Sequence, residues 1–248
     1  MYDVDTHNIG LPGFGRLTSA QINRLHEAGL QVLERTGVRF FDDEALDLFR
    51  KGGATIDGNL VRIRPHLVEW ALRTAPKNIV IYDQNGERAM DLGGYRVHYG
   101  PGSDCRHIYD LDTGMRREAT LNDVQQAVKM VDALPHIDYV MSMYMPTDVP
   151  TGTHEPRQMA IMLQNTTKPI TFVSESMENN VCAVEMAAAV AGDIQLLAQK
   201  PFVISYAQTV DPFTHSQEGV QRLMYNAKNN IPTIYSPGIA RGTLTPLT

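Results

Sequence analysis

Four prolines, Pro135, Pro169, Pro201 and Pro232, each open a short apolar run, at intervals of 34, 32 and 31 residues. The runs read LPHIDYVMSMYM, KPITFVSES, KPFVISYAQ and IPTIYSPG. Proline is tolerated at the start of a strand, where no ladder donor has yet been required of it. Helix-like segments lie between the runs, so the period is that of a strand-plus-helix unit in a parallel sheet. Repeated evenly, such units build a (β/α) barrel. Four units fit before Thr248, whereas a closed TIM barrel has eight. The expected fold is therefore α/β: an incomplete (β/α)8 barrel behind an α+β N-terminal region.

The N-terminal region reads differently. Residues 1–16 are rich in glycine and proline and are expected to form an extended arm. Thr18 followed by Gln21 is a capping box for a helix that offers Ile22, Leu25, Leu30, Val32 and Leu33 to a core. A second helix is expected over Asp43–Arg50, a strand over Leu60–Arg64, and a third helix from Pro65 to Thr74. Short strands follow near Ile79–Tyr82, Arg88–Leu92 and Tyr95–Tyr99, the first two joined by the hairpin signal Asn85-Gly86. Another hairpin is expected over Arg106–Arg116. From Thr120 the strand–helix rhythm takes over, which places a boundary near residue 118, between regions 1–118 and 119–248. The expected helices of the second region are Leu121–Ala133, Glu155–Gln164, Glu178–Ala191 and Gln217–Asn229. In the third of these, Val181, Val184, Ala188 and Val190 make an apolar stripe. Met186 and the alternating Met141, Met143 and Met145 read as core filler.

Composition excludes several classes. A net charge of −6 with no basic tract lacks the footprint of a nucleic-acid binder. Two cysteines, Cys105 and Cys182, make neither a disulfide framework nor a thiolate zinc site. The eight histidines show no metal-ligand spacing, so no metal site is expected. With acids and no apolar core in MYDVDTHNIGLPG, no secretory signal is expected, and no run of about 20 apolar residues suited to span a bilayer is present. A reducing cytoplasm is the expected compartment.

Barrel chemistry gathers where strands end. The runs end on Tyr144, on Ser174 and Glu175, on Tyr206 and Gln208, and on Tyr235 and Ser236. A ring presents its negative face to a cation, so Tyr144, Tyr206 and Tyr235 are candidate walls for a quaternary ammonium group. They equally suit a sheet margin, with an apolar body and a polar tip. Glu175 is the candidate catalytic carboxylate, or a cap for the helix that follows. Lys168 and Lys200 precede their strands and read as solvated charges on the opposite face. Tyr99 leads into the turn Gly100-Pro101-Gly102, which presents Ser103 and Asp104; Tyr99, Gly102 and Asp104 join the candidate substrate contacts.

HYGPGSDCRHIYDLDTGMRREATLNDVQQAVKMVDALPHIDYVMSMYMPTDVP resembles the N-terminal half of the trimethylamine methyltransferase family, the MttB superfamily. LTSAQINRLHEAGLQVLERTGVRFFDDEALDLFRKGGATID, VRIRPHLVEWALRTAPKNIVIYDQNGE, PITFVSES and YSPGIARGTLTPLT are similar to it in order and content. The resemblance implies a (β/α)8 barrel that moves a methyl group from a methylated amine to the cobalt of a partner corrinoid protein. It implies no directly bound cofactor; the corrinoid (cobalamin) comes with the partner. Members that lack pyrrolysine are associated with quaternary amines such as glycine betaine, and this chain is read as one of them. The main catalytic residues are then expected beyond Thr248. A substrate carboxylate would find donors in Arg106, His98 or the amides near Gly102. A half barrel would expose strand edges and self-associate. Two alternatives stand beside this one: a barrel lyase or decarboxylase using Glu175 and Asp104 as acid–base groups, and a fragment acting only in assembly.

Overall fold

The computed structural model describes residues 15–150, 152–210 and 213–237. Most of the expected N-terminal arm and the segment after residue 237 lie outside the described residues. The chain is an α/β fold with mixed sheets and no closed barrel among the described residues.

The N-terminal region opens with α1 (Ser19–Gln31), whose cap Thr18 shares a reciprocal capping box with Gln21. A π-helical turn, Val32–Thr36, follows and stops at Gly37. Gly37 has φ +77°, and a Cβ there would lie 2.7 Å from the Val61 carbonyl, so only glycine fits. Then come β1 (Val38–Phe40), α2 (Asp43–Lys51), β2 (Thr55–Asp57), β3 (Leu60–Arg62) and α3 (Pro65–Thr74). Of the apolar face expected of α1, Leu30 and Leu33 are half-buried, whereas Ile22, Leu25 and Val32 are exposed.

Next is the hairpin β4 (Ile79–Tyr82) and β5 (Arg88–Leu92). Its turn holds Gly86 at φ +81° and Asp83 N–H on the Glu87 carbonyl at 2.8 Å. The strand expected over Tyr95–Tyr99 does not form. Tyr95, Val97 and Tyr99 are exposed, and Tyr99 bonds instead to the backbone and carboxylate of Asp138. Alternation without a partner strand gives no ladder. A second hairpin, β6 (His107–Tyr109) and β7 (Arg116–Glu118), turns through Asp110–Gly114. Arg117 clamps it to the next helix, donating to Asp110 and forking onto both oxygens of buried Asp123.

The second region holds α4 (Leu121–Ala133), α5 (His154–Asn165), β8 (Ile170–Val173), α6 (Met177–Ala191), α7 (Ile194–Gln199), β9 (Val203–Gln208), β10 (Thr214–His215), α8 (Gln217–Lys228) and β11 (Thr233–Ser236). The strands β8, β9 and β11 are parallel, in the order β11-β9-β8. The first apolar run contributes only bridges, Val140 to Ile170 and Tyr144 to Cys105, both parallel. Between them Met143 turns to φ +60° and breaks the ladder. The prolines work as their chemistry allows. Pro169, Pro201 and Pro232 lack donors, but their carbonyls accept from Val140, Tyr82 and Ser205 at 2.8–2.9 Å. Pro135 instead sits in a turn, five residues ahead of Val140.

One core lies between this sheet and α4, α5 and α6, built on Val124, Val128, Met159, Met162, Ile170 and Val184. The buried face of α6 is Asn180, Ala183, Val184 and Ala187, and Val190 is exposed. The helix is rotated from its expected stripe because Asn180 is drawn into a buried polar network. The short helix α7, capped by Asp193, had no counterpart in the sequence reading. Below the sheet, the β4–β5 hairpin is held at the strand beginnings. Tyr82 N–H meets the Pro201 carbonyl at 2.9 Å, and Gln84 N–H meets that of Thr167 at 2.8 Å.

The two regions are stitched together. β10 adds to β1 in parallel, so that the first sheet runs β10-β1-β3-β2. Lys228 and Gln221 of α8 bond to Glu44 and Asp42. Lys168 is not a free solvated charge, since its ammonium donates to the carbonyls of Val131, Leu134 and Ile137 at 2.6–2.8 Å. That caps the C-terminus of α4, where a cation complements the helix dipole. Among the described residues no helix is long and apolar enough to cross a membrane.

Candidate functional site

A cleft of about 570 Å³ opens where the parallel strands end. Tyr139 and Met141 come from the first run, Val173–Glu175 from β8, Tyr206–Gln208 from β9 and Arg222 from α8. Residues Pro101–Asp104 cross over it. This is the end of the sheet where strand termini and loops can present side chains without breaking ladder hydrogen bonds.

The crossing segment is fixed by contact and by strain. A Cβ on Gly100 would fall 2.3 Å from the Tyr139 ring, so glycine alone lets the turn lie against that ring. Asp104 then adopts φ +65°, which is unfavourable for a residue with a Cβ. Directly after it Cys105 resumes extended pairing, taking the Met143 carbonyl at 3.0 Å. The kink delivers the Asp104 side chain to the cleft, where Ser142 Oγ donates to Oδ1 at 3.5 Å. Burial raises the Asp104 carboxyl above its usual range, and the Ser103 hydrogen bond offsets part of that rise.

Glu175 stands at the rim on a backbone held from below. Its N–H donates to Glu155 Oε1 at 2.8 Å, and Asn179 Nδ2 donates to Oε2 at 2.7 Å. Glu155 is itself buried, and burial raises its carboxyl. Gln208 Nε2 donates to the Tyr206 hydroxyl at 2.8 Å, steadying both at the end of β9.

Arg222 is the unexpected member. It is 8% exposed, forms no hydrogen bond or ion pair among the described residues, and encloses an Nε with no partner. Burial lowers its pKa, opposed at longer range by the charges of Glu155, Glu218, Tyr235 and Glu175. It remains a cation, because guanidinium does not deprotonate in proteins.

Of the residues proposed from sequence, Gly102, Asp104, Glu175, Tyr206 and Gln208 meet in this cleft. Tyr99, Tyr144 and Tyr235 do not line it. Tyr99 is exposed on the flank. Tyr144 packs on the helical core, and its carbonyl accepts from Gln158. The Tyr235 hydroxyl lies 2.6 Å from His215 Nδ1, in a stack that runs on to Phe40. The donors suggested for a carboxylate are engaged elsewhere, Arg106 with Glu118 and His98 beside Asp138. Sequence reasoning missed Arg222, Glu155 and Tyr139. One signal was available: Gly219, Arg222 and Asn226 fall at i, i+3 and i+7, on the buried stripe of α8. Among the described residues, no group of three or more His, Cys, Asp or Glu is arranged to hold a metal ion.

Residues 4–248 match the family model described as trimethylamine methyltransferase (MTTB). Over 95% of its length the chain is 27% identical to the glycine betaine methyltransferase of Desulfitobacterium hafniense (strain Y51), covering 49% of that protein. It is 29% identical to the trimethylamine methyltransferase MttB of Desulfitobacterium hafniense (strain DSM 10664 / DCB-2), across 94% of this chain and 47% of that one. The proline betaine:corrinoid methyltransferase of Eubacterium limosum is 28% identical, over 84% and 44%. The chain spans about half the length of the curated relatives it matches.

Proposed function

The chain belongs to the trimethylamine methyltransferase (MTTB) family, and from that premise we propose that it supplies the substrate cleft of an enzyme demethylating a quaternary amine. In this reading residues 119–248 are the first half of a (β/α)8 barrel, and residues 1–118 are an α+β region packed against it. Support comes from the parallel order of β8, β9 and β11 and from the one free edge of β11 among the described residues. The same edge is the expected route of self-association, which light scattering of the protein would register.

The observation that carries the function is the cleft at the strand ends, whose lining holds Tyr206 together with Asp104 and Glu175. A ring face and nearby negative charge hold a quaternary nitrogen electrostatically without needing a hydrogen bond, which such a nitrogen cannot give. In the transfer the C–N bond breaks, its electron pair stays on nitrogen as a tertiary amine, and the methyl carbon bonds to the acceptor. No proton moves, so the residues need only orient the N-methyl group and exclude water.

A reduced corrinoid carried by a partner protein would supply the nucleophile. In this reading the corrinoid is presented from outside the cleft. The relative named as a proline betaine:corrinoid methyltransferase supports the same acceptor. The loops after the strands, at 146–154, 175–179 and 209–216, would meet that partner.

The test is turnover of a quaternary amine with and without a cobalt(I) corrinoid acceptor. Demethylated amine and methylated acceptor should form in equal amounts, and only when the acceptor is present. Turnover without it would overturn the proposal and assign the cleft to acid–base chemistry by Asp104 and Glu175.

A further inference from the structure

Resting on that reading, we propose that Arg222 is the receptor for a substrate carboxylate, so that the cleft takes a zwitterionic, N-methylated amino acid rather than a simple alkylamine. A guanidinium carries five donors in a planar fork that matches a carboxylate two bonds at a time. In this protein Arg222 is more than nine-tenths buried, lines the cleft, and has no hydrogen-bond or ion-pair partner among the described residues. Burying a charge without a counter-charge is strongly unfavourable, and a fold retains such a group where a ligand completes it.

The neighbouring acids do not complete it. Glu155 spends both oxygens on the Glu175 N–H and the Asn179 amide. Glu175 and Glu218 act on Arg222 only through their charge and form no ion pair with it. The rest of the lining fixes the charge type of the ligand. Asp104 and Glu175 share the cleft with Arg222 and would repel a dianion such as phosphate. A monoanionic carboxylate tethered to a cation satisfies both sets of charges at once. The cleft volume of about 570 Å³ lies within the range of small-molecule sites.

The placement of Arg222 is fixed as well. One turn further along α8, Asn226 is locked into the buried network through Asn180 and Thr233, which sets the rotation of the helix. Arg222 is thus presented by a rigid element rather than by a loop.

Calorimetry with three probes tests the proposal on the protein, on Arg222→Met and on Arg222→Lys. The probes are glycine betaine, its neutral-carbon isostere 3,3-dimethylbutanoate, and choline, which keeps the cation and lacks the carboxylate. Both carboxylates should bind the native protein and lose at least about 30-fold in Arg222→Met, as when one partner of a buried charge pair is removed. Arg222→Lys should recover part of that loss, and choline should bind both proteins alike. Choline binding the native protein as tightly as glycine betaine would overturn the proposal, as would a change of under about threefold in Arg222→Met.

Stability gives a second readout. Without ligand, Arg222→Met should melt at or above the native temperature, because an apolar chain replaces an uncompensated charge. A large fall in melting temperature would mean that the folded protein already pairs Arg222, and the inference would fail. Failure of the methyltransferase reading has a different signature. Glycine betaine and 3,3-dimethylbutanoate would bind equally and both depend on Arg222, with no methyl transfer to a corrinoid; the carboxylate receptor would stand.

Discussion

Asn180 on α6 donates its Nδ2–H to Asn226 Oδ1 on α8 over 2.9 Å, and both residues are fully buried. The pair is the centre of a closed polar network. Asn180 Oδ1 accepts from Ser174 and Ser205 at the ends of β8 and within β9, and Asn226 donates to Thr233 of β11. Two helices and three strands are thereby registered through side chains that have no water to fall back on. Asn226→Leu would strand the Asn180 amide and leave the Thr233 hydroxyl only its bond to the Ile231 carbonyl. Its expected cost is about 1–3 kcal/mol per stranded group, read as a lower urea midpoint. Ser174→Ala, at the margin of the network, should cost less. Equal effects at the two sites would mean that the network does not act as a unit.

The sequence carried the rhythm of this sheet but not its polar centre, and the reason is physical. Strands buried on both faces must be continuously apolar, so ITFV and FVIS announce themselves. Capping is equally local: Thr18 with Gln21, expected from the sequence, and Thr120 with Asp123 each form within four residues. The Asn180–Asn226 contact spans 46 residues, and an asparagine in a helix looks like surface until its partner is placed. Arg222 is the same case, a cation whose burial depends on how α8 docks. The helix α7 was missed because six residues show less than two turns of periodicity, although Asp193 offered a cap. The expected strand at Tyr95–Tyr99 failed for the opposite reason, a good local pattern with no partner beside it.

Acid should loosen the clamp at Arg117. That guanidinium draws Asp110 down to about 2 and holds Asp123 well below the usual carboxylate range. The unfolded chain therefore takes up protons first, and stability falls with pH through this window. The contribution is fully present above about pH 4 and drains away as pH drops towards the folded values. Urea midpoints at about pH 5 and pH 2.5 should differ in the native protein, and Arg117→Met should reduce that difference. An unchanged slope in the variant would place the acid sensitivity elsewhere.

Lys168 should behave as a structural residue. Three carbonyls at the end of α4 and in the following turn converge on its ammonium. Lys168→Met removes all three bonds, although the Val131 and Leu134 carbonyls keep the N–H groups of Leu134 and Ile137, so a loss of about 2–3 kcal/mol is expected in urea unfolding, in line with hydrogen bonds to a charged group. Ligand affinity should be unchanged, because the residue precedes β8 and the cleft lies beyond its other end. Lys200 is exposed and makes one such bond, to the Gly86 carbonyl. Lys200→Met should therefore cost well under half as much.

The aromatic contribution should reside in one tyrosine of the three that the strand ends suggested. Tyr206 lines the cleft, whereas Tyr144 packs into the helical core and Tyr235 is engaged with His215. For a cation with no carboxylate, such as tetramethylammonium, Tyr206→Leu should lose about 0.5–2 kcal/mol, the range of a cation–π contact. Tyr144→Leu should leave that affinity unchanged while lowering the melting temperature, since its ring fills core volume. Tyr206→Phe separates the ring from its hydroxyl, which takes a hydrogen bond from Gln208. If the ring face holds the cation, the phenylalanine variant should bind within about twofold of the native protein. A loss as large as that of Tyr206→Leu would assign the effect to the Gln208 contact and remove this tyrosine from the cation site.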